Sequence, residues 1–214
     1  ITDNIAIGEY ALSSITTAPE SIAIGGWALQ NLTTGVQNTA IGFKAGQALV
    51  GAGSNTAIGF EALKSDTTGG NSVAVGSFAL NEFSKAGTGG GVAGNVAVGS
   101  ASMRYLDNAA AIGNTAVGFG ALAGTNQATV TPHSNVAVGY DALNLLIGGT
   151  ENVAIGYKAL DAQAGESGDG ATNDGHRNIA IGADAMGAVN SGTNNSSEVD
   201  DNIAIGNDAL LGAS

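Results

Sequence analysis

Three acids, Glu166, Asp169 and Asp174, stand among glycines in DAQAGESGDGATNDGHR at 161–177. Carboxylates in a glycine-rich stretch suit calcium, whose ligands are oxygens. The spacing matches neither a helix–loop–helix calcium loop nor the GGxGxD repeat, so Asp169 and Asp174 stand as calcium candidates beside the plainer reading of solvated loop acids. The two histidines, His133 and His176, fall in stretches expected to lie many repeats apart, too far to share a metal. His176 next to Asp174 has the look of a catalytic fragment, but no nucleophile motif accompanies it. Eight aromatic residues, Tyr10, Trp27, Phe43, Phe60, Phe78, Phe119, Tyr140 and Tyr157, each follow a glycine by one or two residues. If exposed, such a ladder could stack on the apolar C–H face of sugar rings; the plainer reading is packing at a corner or a subunit seam. Paired threonines at 16–17, 33–34 and 67–68 suggest an ice-binding ladder, which Val50-Gly51 interrupts.

What positions these residues is a repeat. The string NTAIGFEAL at 55–63 returns as NIAIGEYAL at 4–12, NVAVGYDAL at 135–143 and NVAIGYKAL at 152–160. Its glycine falls at Gly8, Gly25, Gly42, Gly59, Gly76, Gly99, Gly118, Gly139, Gly156, Gly182 and Gly206. The first four spacings are 17 residues, followed by 23, 19, 21, 17, 26 and 24. Ala111-Ile112-Gly113 also ends like the motif, but Gly118 is preferred because Ala121-Leu122 follows it at the proper distance. A period of 17 is too short for a helical hairpin and does not fit a heptad. It fits one turn of a β-solenoid with two short strands, the second marked by Ala-Leu. The glycines are expected at sharp coil corners, where the chain needs positive φ or close approach to the next coil. Asn opens nine of the eleven copies, and stacked Asn side chains can hydrogen-bond from coil to coil. About eleven coils stacked at ~4.8 Å make a rod roughly 50 Å long.

The central tripeptide is apolar–Ala–apolar, with no polar position for a solvated face. If Ile5, Ile7 and their counterparts fill the inside along with Leu12, alternation turns the alanines outward. That column is Ala6, Ala23, Ala40, Ala57, Ala74, Ala97, Ala116, Ala137, Ala154, Ala180 and Ala204. A file of methyl groups facing out is expected to be a subunit seam, closed by rotational symmetry against identical columns.

Composition bounds the partners. Net charge is −12 with only six Lys and Arg, which disfavours nucleic acid and a basic membrane-binding face. No cysteine is present, so disulfides and thiolate metal sites are excluded, and no cofactor is implied. No segment is apolar for long enough to span a membrane, so no membrane insertion by this segment is expected. The chain reads as a single repetitive domain over 1–214 and is expected to be a fragment of a longer fibre.

NSVAVGSFAL at 71–80 and NVAVGSAS at 95–102 resemble the NSVAIGxxS head repeats of YadA-like trimeric autotransporter adhesins. NTAIGFEALKSDTTGGNS at 55–72 resembles equally the NTAVGYxAL repeats of phage tail fibres and related bacterial surface fibres. The period of 17 or more and the Ala-Leu ending favour the fibre-like branch. The resemblance implies a left-handed parallel β-roll in a homotrimer, extracellular, on a virion tail fibre or a bacterial cell surface. It implies a structural and attachment role, with a cell-surface glycan or protein receptor. Excess length always falls between Ala-Leu and the next Asn, mainly at 81–94, 161–177 and 187–201. Loops on a rigid scaffold commonly carry binding, which makes Gly87, Gly90, Glu166, Asp169, Asp174, His176, Asn194 and Glu198 candidate receptor contacts. Catalysis is not expected. A polysaccharide-degrading solenoid would need paired carboxylates on one face, and an ice-binding one an unbroken threonine ladder.

Overall fold

The computed structural model describes residues 2–81, 94–106, 111–124, 132–144, 149–161, 175–187 and 200–211. Over these residues the chain is an all-β parallel solenoid with no helix. Its strands are β1 (Ile5–Ile7), β2 (Ile22–Ile24), β3 (Thr39–Ile41), β4 (Thr56–Ile58), β5 (Val73–Val75) and β6 (Val96–Val98). There follow β7 (Thr115–Val117), β8 (Val136–Val138), β9 (Val153–Ile155), β10 (Ile179–Ile181) and β11 (Ile203–Ile205). All pair in chain order into one parallel sheet, each alanine beside the next, from Ala6 against Ala23 to Ala180 against Ala204. Parallel neighbours cannot be joined by a tight hairpin, so the rest of each repeat is the circuit that returns the chain to the start of the next strand. Thr115–Val117 forms β7, so Gly118 is the corner of that repeat; Ile112 instead pairs with His133 in an isolated bridge.

The corner glycines hold φ between +126° and +140°. At Gly59 a Cβ would lie 2.5 Å from the carbonyl oxygen of Gly76 in the next repeat. Both reasons anticipated for glycine therefore apply together: the backbone angle and the close approach.

The second strand does not form. After the corner the chain makes consecutive turns, with Ala62 N–H donating to Gly59 O at 3.4 Å. Glu61 and Leu63 sit at φ +53° and +50°, and Leu29, Leu80, Leu122, Leu143 and Leu160 repeat the left-handed leucine. A left-handed residue costs about 1–2 kcal/mol, whereas burying a leucine contributes roughly 1.5–3 kcal/mol. Burial wins, because each of these leucines is fully buried. Hydrogen bonds still pass between repeats in this segment, as from Leu63 N–H to Ala79 O at 2.9 Å.

The interior also reverses the expected direction of the first strand. Ala23, Ala40, Ala57, Ala74, Ala97, Ala116, Ala137, Ala154, Ala180 and Ala204 are at most 2% exposed in the lone chain. Ala6, in the first strand of the sheet, is the exposed member of the column. Ile5, Ile7 and their counterparts point outward instead. The reason is space. A Cβ on Gly46 would lie 2.9 Å from Leu29 Cδ2, 3.1 Å from Leu49 Cδ1 and 3.8 Å from Ala40 Cβ. Leucines from the turns already fill the interior up to the strand, so the strand can contribute only a methyl group.

The asparagine ladder forms as expected. Asn38, Asn55, Asn95, Asn114, Asn135, Asn152 and Asn178 are buried. Asn38 Oδ1 accepts from both the backbone N–H and Nδ2 of Asn55, at 3.1 and 3.2 Å, while Asn55 Nδ2 also donates to Gly69 O. Asn135 and Asn152 repeat the pattern. Buried amides without partners would cost heavily, and here each has its partner in the adjacent repeat.

Candidate functional site

Two outward surfaces follow from this packing. The first is the outer face of the sheet. It carries the residues on either side of each alanine, which are Ile, Val or Thr in every strand. None is charged. Ile41, Ile58, Val117 and Ile155 are 37–39% exposed, and the terminal pairs Ile5, Ile7 and Ile203, Ile205 are 47–68% exposed. A charge-free face of this length, interrupted by Thr39, Thr56 and Thr115, is a candidate interaction surface. Sequence reasoning missed these columns. The available signal was the middle residue, which never exceeds one methyl although the partnering Leu is large.

The second surface is the aromatic column. Tyr10, Trp27, Phe43, Phe60 and Phe78 form one run with ring centres 5.2–6.5 Å apart. Phe119, Tyr140 and Tyr157 form another at 5.2 and 5.5 Å. Between the runs stand Ser100 and Ala101, and the Arg104 guanidinium lies 4.6 Å from the Phe78 ring centre and 4.8 Å from that of Tyr105. No aromatic ring belongs to the buried core of the described residues, which is built from Ala, Leu and Met. Polar and charged residues alternate with the rings in the chain. Lys44 Nζ sits 4.9 Å from the Trp27 ring centre, Glu61 pairs with Lys64 at 3.0 Å, and Lys158 reaches Asp161 at 3.8 Å. Burial pushes the Asp161 carboxyl up, Lys158 pulls it back, and Asp184 and Asp141 push it up further.

Of the loop candidates only His176 is among the described residues; Gly87, Gly90, Glu166, Asp169, Asp174, Asn194 and Glu198 lie outside them. His176 Nδ1 accepts from the backbone N–H of Thr150 at 3.1 Å, and the His176 N–H donates to Asp200 at 2.7 Å. The two histidines are closer than expected. His133 pairs with Thr150, and Thr150 contacts His176, so they occupy one column two strands apart. The two backbones stand about 9.6 Å apart there, and Thr150 between them already occupies His176 Nδ1. Among the described residues no group of three or more His, Asp or Glu could hold a metal. Threonine hydroxyls at Thr16 and Thr33 donate to the backbone oxygens of Thr33 and Val50. Those donors bind protein and not water. Neighbouring Arg177 forks onto Asp201 at 2.6 and 2.9 Å, and that hydrogen bonding holds the Asp201 carboxyl below its usual range.

No protein-family model, curated protein or solved structure matches the chain. The functional reading therefore rests on the two surfaces and the repeat.

Proposed function

We propose that the chain is a segment of a homotrimeric extracellular fibre, a left-handed β-roll of eleven coils that serves as a structural and attachment element on a virion tail or a bacterial surface. The observation that carries this reading is the charge-free outer face of the sheet, from Ile5 and Ile7 to Ile203 and Ile205. An apolar face with a regular axial repeat needs a cover with the same repeat. Another copy of the chain, parallel and in register, has it by construction, including the irregular spacings after Gly76. Rotational closure of three such faces leaves none open to water. The seam in this proposal is the Ile, Val and Thr columns, and the alanines act behind it by keeping the wall thin. The segments within 81–94, 161–177 and 187–201 are the proposed receptor-binding loops, three copies of each adding through avidity.

Light scattering at micromolar concentration tests the assembly, with a trimer expected and a stable monomer fatal to the proposal. Shortening the three loops to the length of 144–151 should leave the trimer intact and abolish binding to host cells.

A further inference from the structure

We propose that the aromatic column is a binding track for an extended polysaccharide that runs along the fibre axis. The inference rests on the fibre reading for its biological setting and gives that attachment role a site outside the loops. Its starting point is where the rings are. A chain with 5% aromatic residues commits none of those described to its core and sets eight just after its corner glycines, in runs of five and three. Phe43, Phe60, Phe119, Tyr140 and Tyr157 are 41–51% exposed. Phe43 on Phe60, Phe119 on Tyr140 and Tyr140 on Tyr157 lie 11–17° from parallel, so each ring overlaps its neighbour in part, while roughly half of each of these residues stays exposed.

The candidate occupants separate by charge. A subunit seam excludes charged residues from its centre, as the outer face of the sheet does. The aromatic column instead carries Lys44, Glu61, Asp141 and Lys158 directly after Phe43, Phe60, Tyr140 and Tyr157. Burying those four groups against a copy of themselves would strand like charges together. Nucleic acid bases stack on rings too, but a chain of net charge −12 repels the phosphates. A sugar satisfies both halves of the column. Its C–H face is apolar and lies on a ring, while its hydroxyls donate to carboxylates and accept from ammonium groups. The repeat also suits it. Neighbouring ring centres stand 5.2–5.7 Å apart from Trp27 to Phe60 and from Phe119 to Tyr157, a little more than the ~4.8 Å between strands because the rings are offset sideways. The ring separation is close to the length of one residue in a straight β-1,4-linked chain, whose successive sugars turn opposite C–H faces to successive rings. The occupant is therefore a β-1,4-linked glycan with ring faces in line.

Trp27 is the only tryptophan and lies within the first run, so its emission reports occupancy. The 214-residue chain is titrated with cellohexaose and with the hexamer of N-acetylglucosamine, and light scattering is recorded on the same samples. Saturable change in Trp27 emission with at least one hexamer is expected, with the matching disaccharide much weaker. The double variant Phe43→Ala/Phe60→Ala should bind about tenfold or more weakly, with unchanged assembly size and circular dichroism. Silence toward both hexamers at millimolar concentration overturns the proposal, as does equal binding by the double variant. Loss of assembly in the variant also overturns it, because the column would then be a subunit contact. A wild-type chain that assembles but ignores both sugars sinks only this inference; one that binds them as a monomer sinks only the fibre reading.

Discussion

Ala57 and its neighbours Thr56 and Ile58 share one three-residue strand, yet they face opposite worlds. Ala57 is sealed inside the chain, while Thr56 and Ile58 look outward. Hydrophobicity alone would have put the isoleucine inside. The interior is decided by volume instead: leucines from the turns fill it, and a well-packed interior resists even one added methylene. The outer face has no such limit, so it holds the larger β-branched side chains, which suit an extended strand. A narrow solenoid can thus invert the usual assignment of the bigger apolar residue to the core.

Substitutions on the two faces should diverge sharply. Ala57→Glu has neither room nor a counter-charge, and a destabilisation above about 4 kcal/mol is expected. Loss of the cooperative melting transition in circular dichroism would show it; a folded Ala57→Glu chain would mean the inner face is wrongly assigned. Ile41→Glu with Ile58→Glu meets water in the single chain and should change its fold little. In light scattering the same variant should be monomeric, since three copies would bring six carboxylates together at the proposed seam. Persistence of the wild-type mass would move the seam elsewhere.

Asp66 probes the buried side with a smaller effect. Its Oδ1 accepts from Thr68 and Gly69 N–H at 3.2 and 2.9 Å, but the buried Oδ2 has no partner. Burial pushes this carboxyl above the ordinary 3.8, and the backbone amides of Gly69 and Thr68 only partly oppose it. The folded chain therefore favours the protonated form more than the unfolded chain does. Stability is lost as pH rises through the folded pKa and is recovered on acidification toward 3.8. Asp66→Asn keeps the oxygen facing Thr68 and Gly69, so it should melt higher than the wild type at neutral pH. It should also lose that part of the acid-side gain, a difference read from melting curves at a series of pH values. The smallest change is expected at exposed Ser54, held at φ +60°. Ser54→Gly removes left-handed strain of about 1 kcal/mol, offset by the freer unfolded chain, for a net gain of a few tenths. A clear fall in melting temperature would show that the serine side chain contributes there.

The solenoid, its repeat boundaries, the corner glycines and the asparagine ladder were legible in the sequence, because each depends on local chemistry repeated at a fixed position. Gly59 is glycine for its φ and for the carbonyl behind it, and both demands recur at every corner before the last, Gly206, where only the φ remains. The direction of the strand was not legible. Alternation tells that Ala57 and Ile58 face opposite ways, but not which way is in; that depends on how far Leu63 and its kin reach across the interior. Nor was the absence of a second strand. Leucine in a left-handed turn is unfavourable by itself, and only its complete burial makes Leu63 at φ +50° acceptable. The closeness of His133 to His176 was hidden by unequal repeat lengths, which stretch the sequence without adding strands between them.

The asparagine ladder has a direction. The side-chain oxygen of Asn38 receives the N–H of Asn55, that of Asn95 the N–H of Asn114, and that of Asn135 the N–H of Asn152, so for these side-chain acceptors the acceptor belongs to the earlier repeat. A polypeptide is delivered amino end first, whether from a ribosome or through a secretion pore. Each finished repeat would then wait with a placed acceptor for the donor still to arrive. Growth by nearest-neighbour addition can proceed in step with delivery, without the distant end of the chain having to be found. Such a solenoid would zip up behind its point of exit, each new repeat adding to those already stacked.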